Sequence, residues 1–297
     1  MAINRGSFAK FLWPGMKASF GLAYDTGSDE WKGLYTMETS DKAYEEIVGT
    51  SGLGMLAIKP EGQAIDYDTA VQGFTTRYTH ATYAMGTTVT REMFEDDQYG
   101  ILKGSNGATD LGFSVKTTLN TLGAAVYNNA TSYIGGDGVS LLNDSHPFAA
   151  GGTYDNLSGD TMSEAALEAA KIAIGKWTND RGLRINVGIS ELIIPPDLEF
   201  DVCRILDSPL RNATANNDAN AVKVKGTIPS VTVNNFITGA ASWYLKTNCP
   251  HGMTAFMRRA PSFDTDGDFD TENAKFKATF RASFGWSDAH GLYGYDT

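Results

Sequence analysis

Cysteine is almost missing from this chain, with Cys203 and Cys249 the only two in 297 residues. They form no CxxC pair and no even framework of short spacings, which excludes a zinc knuckle and a disulfide-stapled secreted scaffold. Histidine is scarce too, at 4 residues. His80, His146, His251 and His290 make neither H-x-x-x-H nor H-E-x-x-H, so metal-dependent hydrolysis lacks a ligand set. No run of about 18 apolar residues occurs, and no membrane-crossing helix is expected. Near the start, Pro14 and Gly15 break the apolar patch Phe11–Trp13 before a signal-peptide core can form, so a reduced cytoplasm is the expected compartment. Positive charge is short as well: Lys+Arg 24 against Asp+Glu 35 gives a net charge of -11. Gripping a nucleic acid needs a basic face to neutralise phosphates, so this chain can lie beside DNA but is not expected to clamp it.

What is present describes a folded protein. Hydrophobic residues make up 42% and charged residues 20%, a globular balance, and the length suits one large or two modest domains. Glycine is abundant at 32 residues, which points to many turns and bendable strand joints. Residues 1–40 are rich in aromatics without a sustained period. They read either as a segment laid over the main domain or as an arm docking on a neighbouring subunit. A short helix is expected at Lys42–Ile47. From Ile65 to Thr90 β-formers crowd together, yet both faces are mixed and polar, so neither is an obvious buried side. Such an extension needs cover, from another chain if not from its own.

Beyond Thr90 the period changes. A short helix is expected near Arg91–Leu102. Leu111, Val115, Leu119, Leu122 and Val126 then place an apolar stripe on a long helix near Thr109–Asn129, roughly 30 Å of spine. Thr161 with Glu164 reads as a capping box opening the next helix. Leu192–Ile194 reads as a buried strand stopped by Pro195 and Pro196, and a helix with Leu198, Val202 and Ile205 inward follows from Asp197. Short strands are expected at Ser230–Phe236, Ser242–Leu245 and Thr254–Met257. The best alternation is late: Phe276, Ala278, Phe280, Ala282, Phe284 and Trp286 share one side of a half-buried strand. The fold class is α+β.

The candidates for chemistry are few. Asp264, Asp266, Asp268 and Asp270 alternate as in a calcium loop. An EF-hand loop, however, needs Gly sixth and Glu twelfth, and here Gly267 falls fourth and Lys275 twelfth, so a solvated acidic turn is the competing reading. Asp144, Ser145 and His146 are neighbours in one loop, which cannot by itself converge as a triad, and no G-x-S-x-G elbow exists. No phosphate-binding glycine motif occurs. No catalytic residue, cofactor or resident metal is expected.

Several long stretches nevertheless resemble one family: FLWPGMKASFGLAYD (11–25), ETSDKAYEEIVGTSGLG (38–54), IKPEGQAIDYD (58–68) and RYTHATYAMGTTVTREMFEDDQYG (77–100). They continue with DSHPFAAGGTYDNLS (144–158), LIIPPDLEFDVCRIL (192–206) and DTDGDFDTENAKFKATFRASFGWSDAHGLYG (264–294). The chain resembles the major capsid proteins of tailed bacteriophages, in particular the Mu-like major head subunit (gpT-like) group. The resemblance implies the Hong Kong ninety-seven-type capsid fold: an N-terminal arm at 1–45, an extended β loop (E-loop) at 46–90, and a peripheral domain with the spine helix at 91–131. It further implies an axial domain at 132–251, peripheral return strands at 252–285, and a tail at 286–297 packing on the axial domain. Phe11, Trp13 and Phe20 are then expected to dock the arm, and Phe74, Arg77, Tyr78 and Tyr83 to make the E-loop contacts between subunits. The implied function is a virion head subunit, made in the host cytoplasm, assembling as hexamers and pentamers around double-stranded DNA. A separate scaffolding protein, a portal and decoration proteins are the implied partners. Two other readings remain open, an encapsulin-like nanocompartment shell and a hydrolase using His146 or the acidic loop.

Overall fold

The computed structural model describes residues 20–92, 96, 106–210, 218–268 and 273–297. The 3.6-residue stripe forms a helix at Asn106–Asn128, with Leu111, Val115, Leu119 and Val126 buried and Leu122 packed beside them. Over it lies a sheet of β1 (Thr36–Thr39), β4 (Ala81–Val89), β10 (Met253–Gly267) and β11 (Ala274–Trp286). The order is β1-β10-β11-β4, with β1 parallel to β10 and the other pairs antiparallel. The alternation in β11 behaves as its pattern requires: Phe276, Ala278, Phe280 and Ala282 enter the core against the helix stripe.

The aromatic segment after residue 19 belongs to the same core. Residues 20–26 are helical, and a second short helix, α1 (Glu30–Leu34), follows. The segment runs alongside the long helix, α2 (Asn106–Asn128), in the same direction. Gly112 faces Phe20, Asn120 bonds Trp31 and Ser28, Gly123 faces Trp31, and Tyr127 donates to the Leu34 carbonyl at 2.8 Å. Buried Lys116 pairs with Asp29 and lies 4.4 Å from the Tyr24 ring centre. The two glycines are notches that let the segment seat its backbone against the helix.

After the short pair β5 (His146–Pro147) and β6 (Thr153–Tyr154), a second core gathers on another sheet, β12-β9-β7-β8, made of β7 (Ile189–Ile194), β8 (Val231–Val233), β9 (Trp243–Thr247) and β12 (Leu292–Tyr295). Helix α3 (Glu164–Lys176), α4 (Glu199–Asp207) and α5 (Ala221–Lys225) cover it with Leu167, Ile174, Val202 and Val222. Ile193 and Tyr244 face the first core, while Leu192, Ile194, Trp243 and Leu245 face the second. A sheet buried on both faces explains the unbroken apolar run Leu192–Ile194. Buried Asn156 ties the end of the chain down, donating to the carbonyls of Leu141, Ala289 and Leu292 at 2.8, 3.1 and 3.1 Å.

Three local expectations are corrected. Residues 44–50 are strand β2 (Tyr44–Thr50), not a helix, because pairing with β3 (Gln72–Thr79) overrides local propensity. Helix α3 is capped by Ser163, whose side chain accepts from the Ala166 N–H at 3.1 Å, rather than by Thr161. Strand β10 runs well past Met257, with register shifts between Met257 and Ser262 that accommodate Pro261. The expected helix at Arg91–Leu102 falls largely outside the described residues.

Candidate assembly surface

Strands β2 and β3 pair only with each other, and together they form a ribbon. At its far end the chain loops out between Ser51 and Val71. The neck is closed by the Ser51 N–H on the Val71 carbonyl and the Val71 N–H on the Ser51 hydroxyl, both at 2.9 Å. Gly52 and Gly62 take φ of 65° and 79°, conformations that favour glycine. The Asp68 carboxylate accepts from the Gly54 and Thr69 N–H groups at 2.7 and 2.8 Å, bonds that hold its pKa below the ordinary value. Arg181 reaches across from the second module to the Asp68 carboxylate at 3.4 Å and to the Thr69 carbonyl. Between these ties the loop exposes apolar side chains: Met55, Leu56, Ile58 and Tyr67 are 83%, 96%, 95% and 89% exposed. Single exposed apolar residues are ordinary, but a run of them on an extended loop marks a contact surface.

The residues expected to make contacts divide into two groups. Phe74 is 39% exposed on the ribbon. Arg77 is half-exposed, its guanidinium 3.6 Å from the Tyr44 ring centre and 3.5 Å from the Glu46 carboxylate. Tyr78, by contrast, is 3% exposed. It packs on Phe256 at 4.9 Å and its hydroxyl lies 2.7 Å from that of Ser287. Tyr83 stacks on Phe280 at 5.0 Å. Tyr78 therefore spends its surface on its own subunit, whereas Tyr83, on β4 of the core sheet, is only half-buried. Phe20 likewise docks at home, 5.1 Å from Phe263 and 7% exposed. Phe11 and Trp13 lie outside the described residues.

The candidates for chemistry come apart in space. Asp264 and Asp266 stand on β10 opposite Lys277 and Lys275, and the Asp268 carboxylate accepts from Lys275 at 2.7 Å. Asp270 lies outside the described residues. His146 is fully buried, Nδ1 2.6 Å from Asp137 and Nε2 3.2 Å from the Leu141 carbonyl, while Asp144 and Ser145 are exposed. A histidine enclosed in this way cannot touch a substrate.

Sequence spacing could not reveal a second cluster, formed by residues far apart in the chain. Asp288 joins the Cys249 thiol at 3.4 Å to His290 Nδ1 at 2.7 Å, and His290 stacks on Tyr154 at 3.9 Å. Burial would raise the Asp288 pKa, but the His290 and Cys249 bonds outweigh it and hold the carboxyl below its ordinary value. Burial and the Asp288 charge push the Cys249 thiol well up, so it stays protonated and is no nucleophile. An open groove of about 490 Å³ beside the ribbon root is lined by Tyr78, Tyr83, Leu122, Tyr133 and Trp286. Besides tyrosines its lining carries one ionisable side chain, Arg77.

Comparison with known proteins supplies the context. Residues 73–294 match a family model described as "phage capsid protein". No curated protein matches. Among solved structures, the capsid of a native GTA particle aligns with TM-score 0.56 at 12% identity, covering 91% of this chain and 90% of that one. A structure from Microbacterium phage Oxtober96 aligns with TM-score 0.55 at 8% identity, covering 91% of each chain. A virus-like particle from Pyrococcus furiosus aligns with TM-score 0.52 at 10% identity, covering 95% and 98%.

Proposed function

Since the chain belongs to the phage capsid protein family, we propose that it is the major head subunit of a tailed phage. In this reading it assembles as hexamers and pentamers into a closed icosahedral shell around double-stranded DNA. The long family-like stretches between residues 11 and 294 support a finer placement in the Mu-like major head subunit group. The ribbon and its loop, 44–79, then act as the E-loop. The first core, with α2 and the return strands at 252–285, is the peripheral domain, and residues 132–251 with the tail at 286–297 are the axial domain. Assembly in the host cytoplasm with a separate scaffolding protein, a portal and decoration proteins completes the proposal, and the chain acts as a structural component with no reaction of its own.

One observation carries this reading: a ribbon that leaves its own core and exposes Met55, Leu56 and Ile58 on a looped end. A second copy is the occupant that makes sense of it, because closed symmetry repeats each modest contact many times. The acidic balance suits a container, which must enclose DNA without clamping it. The test replaces residues 53–67 by a short glycine linker, leaving the Ser51–Val71 neck intact. Electron microscopy of the full chain should show uniform shells or rings of subunits, and the shortened chain should yield folded, unassembled subunits. Shells of normal size from the shortened chain would refute the ribbon as the contact. Nucleic acid or co-purifying protein inside the shells would separate a phage head from a nanocompartment.

A further inference from the structure

Residue 80 is the single position between β3 and β4, where one continuous run of chain leaves the ribbon and enters the core sheet. The other crossing lies at 40–43, between β1 and β2. His80 bridges the two crossings. Its Nε2 lies 3.1 Å from the Ser40 hydroxyl and its Nδ1 3.0 Å from the Ser283 hydroxyl on β11, and the residue is 4% exposed. Both crossings are also pinned to the sheet: Arg281 donates to the His80 carbonyl at 3.2 Å and Arg258 to the Ser40 carbonyl at 3.4 Å.

We propose that His80 is a proton-sensitive clasp that fixes the posture of the ribbon against the core sheet. The proton count follows from the partners. The Ser40 hydroxyl donates to the Glu45 carboxylate at 2.7 Å and accepts the Lys42 N–H at 3.1 Å. Towards His80 it can therefore only accept, which assigns the hydrogen to Nε2. Nδ1 is then the acceptor, and Ser283 donates to it. A second proton on the ring would remove that acceptor and place a positive charge in a buried joint.

The groups around the ring are Asp41 and Lys42 from the 40–43 crossing, Glu45 from β2, Arg258 from β10 and Arg281 from β11. Burial and the Arg281 and Arg258 charges outweigh the attraction of Glu45 and lower the His80 pKa. A histidine whose folded pKa is depressed contributes stability above its ordinary value of 6.5, and that stability is lost as pH falls through the folded value. Acidification therefore loosens the ribbon first. The clasp acts inside one subunit, whatever the ribbon touches in an assembly.

Hydrogen–deuterium exchange of the unassembled full chain, corrected for intrinsic rates, reads the clasp directly. Protection of Tyr44–Thr50 and Gln72–Thr79 should fall by up to about tenfold per pH unit below 6.5, a one-proton slope, while β11 holds its protection. His80→Gln should flatten that dependence. Ser40→Ala should leave the ribbon poorly protected already at neutral pH. An unchanged pH slope in His80→Gln would overturn the clasp. So would loss of protection in the ribbon and β11 together, which would signal global unfolding.

Discussion

At Gly123 the spine helix lies so close to the segment beside it that an added Cβ would stand 2.6 Å from the Trp31 Cβ. Trp31 is 1% exposed, so it has nowhere to retreat. Gly123→Ala is expected to cost about 1–3 kcal/mol through overpacking, outweighing the helix propensity gained. Gly175 gives the contrast, since a Cβ there meets nothing within 4 Å in helix α3. Gly175→Ala should be neutral or stabilise by up to about 1 kcal/mol. Urea unfolding of the two variants beside the parent chain checks the pair, and equal effects would count against the notch.

Among the elements, the ribbon divides into a root that belongs to the core and an end that does not. Tyr78→Ser removes a buried ring from the root, so it should destabilise the subunit by about 3–5 kcal/mol, seen as a lower urea midpoint. Leu56→Ser should leave the midpoint unchanged and reduce assembly in light scattering. The reverse pattern would move the boundary between root and contact surface.

Much at this scale was legible in the sequence. The α2 stripe and the β11 alternation each bury one face against a large core, so period alone locates them. The crowd of β-formers before Thr90 marks strands there, but β4 joins the core sheet beside β11, which its two mixed faces do not announce. Other features were not legible. Strand β2 carries few apolar residues and owes its conformation to β3, a partner more than twenty residues away. Most of β10 hides behind Pro261 and the polar run that follows. The burial of Tyr78 depends on Phe256 and Ser287, which nothing local to Tyr78 announces.

For the molecule as a whole, the first core is built from both ends of the sequence. Residues 20–39 and 253–286 meet in it, with Thr36 beside Thr254 and Met37 beside Ala255. Without β10 and β11 the spine helix would face water along its stripe. A chain cut after residue 252 is therefore expected to lose cooperative unfolding by calorimetry and circular dichroism, rather than keep half of the transition. A sharp transition in that fragment would show that the second core stands alone.

The parallel pairing of β1 with β10 also has a temporal side. On the ribosome, β1 emerges more than two hundred residues before the strand that completes it. At about 5–20 residues per second that is a wait of roughly ten seconds or more, with an aromatic segment awaiting its final cover. The ribbon, made early, gains its anchor on β11 only when nearly everything else has been translated. If the ribbon joins copies as proposed, nascent chains on one messenger cannot offer each other a correctly seated one, and association would wait for finished, released subunits.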